Sequence, residues 1–106
     1  MKRLAHLLIC ATLTFLPACA STFNQNLAVG YTTVSATRDT ATTLLTAKKI
    51  NADDAENVLQ QTDNARTALD LARTMHRSGQ TIPAQNKLEA TATALRALQI
   101  YLGGKQ

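Results

Sequence analysis

Residues 51–79 read NADDAENVLQQTDNARTALDLARTMHRSG, and this stretch decides the fold. Ala55, Val58, Leu59, Thr62, Ala65, Leu69, Ala72 and Met75 or His76 recur at three- and four-residue steps. That is the period of a helix with one buried face. Asn51 is a good N-cap, and Asp53, Asp54 and Glu56 place negative charge on the first turn, where the helix dipole favours it. Arg73 and Arg77 sit in the last turns, and Gly79 is a natural stop.

Downstream, a short polar loop from Ser78 to Thr81 leads to Ile82-Pro83. Pro83 suits the first turn of another helix, where its missing N–H does no harm. That helix runs to about Leu102, with Leu88, Ala92, Leu95, Leu98 and Leu102 as its apolar stripe and Gly103-Gly104 ending it. Upstream, Leu27, Tyr31, Val34, Ala41, Leu44, Leu45 and Lys48 give a third periodic stretch from about Asn26 to Lys49. Its seven threonines between Thr32 and Thr46 are mediocre helix formers, and Val29 and Val34 lean toward a strand. The 3.6 period and the lack of turn residues from Tyr31 to Lys49 favour helix. Connections of a few residues make consecutive helices antiparallel. The expectation is an all-α, up-down-up three-helix bundle over residues 26–106.

The N-terminus is of a different kind. Met1-Lys2-Arg3 is a short basic start, and Leu4 to Leu16 is a mostly apolar run without an acidic residue. Spanning a bilayer takes ~20 apolar residues, so this run is too short for it. A basic start, a short apolar run and small residues at its end form the secretory signal pattern. Pro17 stops the run. Ala18-Cys19-Ala20 also fits a small-x-small cleavage site, which would place ordinary signal cleavage after Ala20.

Leu16-Pro17-Ala18-Cys19 resembles the lipobox of bacterial lipoprotein precursors. The resemblance implies a signal peptide over residues 1–18, cleavage between Ala18 and Cys19, and acylation of Cys19 as the new N-terminus. Residues 19–25 then form a lipidated Cys and short tether. Ala20 and Ser21 follow the Cys with no Asp next to it, a pattern similar to lipoproteins sorted to the outer membrane. The implied location is the cell envelope, lipid-anchored and facing the periplasm.

Processing changes the arithmetic. The 106-residue chain carries 11 Lys+Arg against 7 Asp+Glu. Losing Lys2 and Arg3 leaves a balance of +2 over 88 residues, and losing Cys10 with Cys19 occupied by lipid leaves no disulfide. From Cys19 onward there are 36 apolar residues, 15 of them Ala, so the core is thin for a domain of this size. Self-association is a reasonable expectation, through the threonine- and alanine-rich surface of the first helix or an Ala90, Ala94, Ala97 stripe.

One local repeat stands out. Asp63-Asn-Ala-Arg66-Thr-Ala-Leu69 is followed by Asp70-Leu-Ala-Arg73-Thr-Met-His76, a seven-residue unit used twice. Each Asp can pair with the Arg three residues on, for a few tenths of a kcal/mol. Two units fall short of the three or four heptads that mark a coiled coil. The pattern reads as a solvated helix face beside the seam, in a body without a sustained heptad.

Residues that carry chemistry are sparse. His76 is the only histidine after processing, and its nearest acid on the same helix, Asp70, is not on its face, so no metal site is expected. Ser21, Ser35 and Ser78 lack a base other than His76, and no Gly-rich phosphate loop or nucleophile elbow occurs. The Asp53-Asp54-Glu56 cluster is explained by the helix start. The basic residues are interleaved with acids, and Tyr31 and Tyr101 make no stacking platform for nucleic acid. No enzyme, cofactor or nucleic-acid partner is expected.

The murein lipoprotein is similar in general plan, a small lipidated helical protein joined to peptidoglycan through a C-terminal Lys. Here Lys105 is penultimate, and the resemblance gives little ground for peptidoglycan attachment. More broadly the chain resembles small envelope lipoproteins of proteobacteria. The function expected is protein binding or scaffolding by a lipid-anchored envelope protein, with an unknown envelope protein or a second copy as partner. The alternatives are a periplasmic inhibitor or immunity protein against a toxin or lytic enzyme, and a structural homo-oligomer.

Overall fold

The computed structural model describes the backbone from residue 19 and side chains from residue 22, through residue 106. Three helices follow one another: α1 (Cys19–Thr46), α2 (Ala52–Arg77) and α3 (Thr81–Gly103). Each packs against the other two, and the described residues form no strand, so the chain is an all-α three-helix bundle.

The threonines of α1 do not break it because their hydroxyls are satisfied by the helix itself. Thr32, Thr33, Thr37, Thr40, Thr42 and Thr46 each donate to the carbonyl four residues back. This is the bond open to a β-branched hydroxyl inside a helix. The helix begins earlier than its sequence suggests, so residues 20–25 are helical rather than a tether, and Phe23 lies in the core.

Two turns of the same design set the antiparallel order. At the end of α1, Lys49 N–H donates to Leu44 O and Lys48 N–H to Leu45 O, with Lys48 at φ 61°. At the end of α2, Gln80 N–H donates to Met75 O and Gly79 N–H to His76 O, with Gly79 at φ 86°. Both are Schellman motifs. Lys48 is therefore an exposed turn residue, not a member of the buried face of α1. Asn51 caps α2 in a full capping box with Asp54: its side chain accepts from Asp54 N–H at 2.8 Å. Ile50, just before the cap, is buried in the same cluster as Ala55, a hydrophobic staple.

The buried positions follow one rule in all three helices. They are 23, 27, 30, 34, 37, 41 and 44 in α1; 55, 58, 62, 65, 69 and 72 in α2; 84, 88, 91, 95, 98 and 102 in α3. Alternating steps of three and four throughout are the a/d spacing of heptad packing. The expectation of a body without a sustained heptad is thus corrected. Heptad spacing also explains three misassigned positions: Leu45 and Leu59 lie outside the buried set, and Thr91 rather than Ala92 points inward.

The core has a waist. One apolar cluster joins Phe23, Leu27, Val34, Leu69, Leu88 and Leu95, among others; a second joins Ala41, Leu44, Ile50, Val58, Leu98 and Leu102 with Ala55. Thr37 and Thr62 are buried at the level between them. Each hydroxyl is spent on its own helix, Thr37 on Thr33 O and Thr62 on Val58 O. Among the described residues no buried side-chain polar atom is left without a partner.

Candidate functional site

Cys19 is the first residue of α1. Leu16, Pro17 and Ala18, and with them the expected signal peptide and cleavage site, lie outside the described residues. What the structure adds is the position of Cys19 in the fold, at the end of the bundle where α1 starts, α2 finishes and α3 begins. Phe23 marks that end by stacking on His76, ring centroids 4.1 Å apart and planes within 5°. His76, the one histidine of the folded part, is thus an aromatic packing partner.

The seven-residue repeat on α2 does something its sequence did not reveal. Tyr31 Oη donates to the Asp70 carboxylate, and one heptad along α1 Arg38 donates to the Asp63 carboxylate and to Thr62 Oγ1. The two aspartates of the repeat therefore both reach across to α1. The expected pairing of Asp70 with Arg73 is present at 3.8 Å, whereas Asp63 pairs with Arg38 instead of Arg66. The Arg73 guanidinium also lies 5.9 Å from the centre of the Tyr31 ring. Burial pushes the Tyr31 phenol above its ordinary value, and the Asp70 acceptor adds to that; Arg73 and Arg66 pull the other way. These bridges are exposed, so they contribute little energy. They match residue to residue along the α1–α2 seam.

A shallow groove of about 310 Å³ runs between α2 and α3. Asp54, Asn57 and Gln61 form one wall, and Ala94, Ala97 and Tyr101 the other. It exists because Ala94 and Ala97 are small where neighbouring helices meet above the buried Val58 and Leu98. The alanines of the expected self-packing stripe, Ala90, Ala94 and Ala97, are all exposed. Asn57, Gln61 and Tyr101 were not singled out as lining residues from sequence; the signal available was that Asp54 and Gln61, like Ala94 and Tyr101, are one heptad apart.

The remaining reactive side chains are dispersed. Ser35 is exposed on α1, and Ser78 Oγ donates to Thr74 O at the end of α2. Asp54 is engaged in the capping box, and Asp53 and Glu56 are exposed beside it. Among the described residues no three His, Cys, Asp or Glu side chains gather as a metal site would need. Lys105 is exposed beyond α3, its ammonium 5.3 Å from the Tyr101 ring centre. No described helix is long and apolar enough to cross a membrane. Set against protein-family models, curated proteins and solved structures, the chain finds a match in none of the three.

Proposed function

We propose that this chain is a small envelope lipoprotein, held to a membrane by acyl chains on Cys19, which acts by binding or scaffolding another protein and not by catalysis. The observation that carries the reading is the order of Lys2-Arg3, the apolar run Leu4–Leu16 and the four residues Leu16-Pro17-Ala18-Cys19. A single acyl chain gives marginal anchoring at about 0.8 kcal/mol per buried CH₂, and more than one makes it stable. A cut before Cys19 would retain all three described helices.

The binding half of the proposal draws on the surface. The groove between α2 and α3 combines a carboxylate, two amides and a phenol above an apolar floor, and Ile100 close by on α3 is 71% exposed. Such a surface suits a protein partner or a second copy more than a small molecule, which is usually held in a far deeper cleft. The test is Cys19→Ser in cells fed a labelled fatty acid. Label on the protein should vanish, and the protein should leave the membrane fraction; persistent labelling would overturn the anchor.

A further inference from the structure

We propose that the end of the bundle beside Cys19 is a seat for an anionic lipid surface, so that the body rests on the membrane with that end down. The proposal rests on the lipid-anchor reading and adds to it an orientation and a headgroup charge.

Three elements meet at this end. The Phe23–His76 stack brings the start of α1 against the end of α2. Ala84 and Leu88 share one buried cluster with Phe23 and Leu27, which brings the start of α3 to the same level. Cations predominate at this tip. Residues 19–27 of α1 carry no charge, and residues 72–88 hold Arg73, Arg77 and Lys87, with the carboxylates Asp70 and Glu89 just outside them. The opposite end is mixed: Lys48, Lys49, Arg96 and Lys105 stand among Asp53, Asp54 and Glu56. Arg73 has Asp70 beside it, but Arg77 and Lys87 are in no ion pair among the described residues.

An apolar contact accompanies the charge. Ile82, in the first turn of α3, is 75% exposed, the most exposed large hydrophobic side chain described. It follows the α2–α3 turn, five residues after Arg77. Cations that attract anionic headgroups, with an apolar side chain to enter the layer beneath, are the two components of interfacial binding. A polybasic surface is also the usual second signal that supplements acyl anchoring. A protein partner would need an acidic face for the same seat, and nothing in the position of Cys19 calls for one.

The experiment uses the processed, acylated protein, reconstituted into vesicles of phosphatidylethanolamine and phosphatidylglycerol in equal parts. A nitroxide is placed at Gln80→Cys, whose native side chain makes no capping bond, or at Glu56→Cys at the far end. The label at position 80 should lose most of its accessibility to a water-soluble nickel complex, while the one at position 56 keeps it. Arg77→Glu with Lys87→Glu should restore accessibility at position 80 with the protein still vesicle-bound. Equal exposure of the two labels, or protection that survives the charge reversal, would overturn the seat. Protection by polyglutamate but not by these vesicles would overturn it in favour of an acidic protein. An unmodified Cys19 by mass spectrometry would instead overturn the anchor, a failure the labels cannot mimic.

Discussion

At the scale of single residues, Lys48 is the position where side chain and backbone disagree most. Its φ of 61° belongs to the left-handed region, which a side chain with a Cβ enters at a cost of about 1–2 kcal/mol. Gly79 holds the equivalent place in the second turn and escapes that cost. Lys48→Gly should therefore stabilise the bundle by about 0.5–1 kcal/mol, offset in part by the greater freedom of glycine in the unfolded chain. A urea titration should show a higher midpoint at unchanged slope; an unchanged or lower midpoint would show that the lysine side chain repays its strain. This contrast also explains what could be read from sequence. Asn51 and Gly79 carry the residue types their backbone roles demand, so both ends of α2 were legible. The α1–α2 turn uses Ala47, Lys48 and Lys49, which announce nothing.

At the scale of helices, α1 and α2 are tightly packed where Gly30 meets Leu69. A Cβ on Gly30 would lie 2.9 Å from Leu69 Cδ2, and Leu69 is fully buried, with nowhere to swing. Leu69→Ala should cost about 2–5 kcal/mol, because the cavity left cannot collapse fully. Gly30→Ala alone trades about 1 kcal/mol of helix propensity against an overpacking cost of roughly 1–3 kcal/mol. Added to Leu69→Ala, the same change should be stabilising, since its methyl enters vacated space and the propensity gain remains. A double-mutant cycle by thermal or urea unfolding measures that coupling; additive effects would deny the contact. Helices α2 and α3 were readable to within a turn because cap and stop residues mark the ends of α2 and leucines mark the seam of α3. Helix α1 was harder, since its seam includes Gly30 and Thr37, which carry no hydrophobic signal. For the same reason the heptad went unseen: without those two positions, the steps of three and four are interrupted. The hydroxyls folded back onto carbonyls have a second effect. Threonines that bond their own helix present methyl groups, so the outer face of α1 is less polar than its composition indicates.

At the scale of the whole molecule, the core is two apolar clusters separated by Thr37 and Thr62. Polar residues at seam positions commonly fix register at some expense in stability. Here the register is also marked by Arg38, which bonds both Thr62 and Asp63. Thr37→Val with Thr62→Val should join the clusters and raise the unfolding midpoint, as neither hydroxyl is needed by a backbone group that lacks another partner. A lowered midpoint would mean that the Arg38–Thr62 contact outweighs the buried methyls. The reading of Cys19 rests on the sequence alone. The groove and the cation-rich end arise from how three helices are placed, and no local pattern records that.

The continuity of α1 down to Cys19 has a mechanical meaning. Six extended residues at positions 20–25 would reach ~20 Å and allow the body to swing freely. As helix the same six rise about 9 Å and share their axis with the bundle. Whatever is joined at Cys19 is joined to a stiff lever, and a tilt at one end is felt as a displacement of the groove at the other.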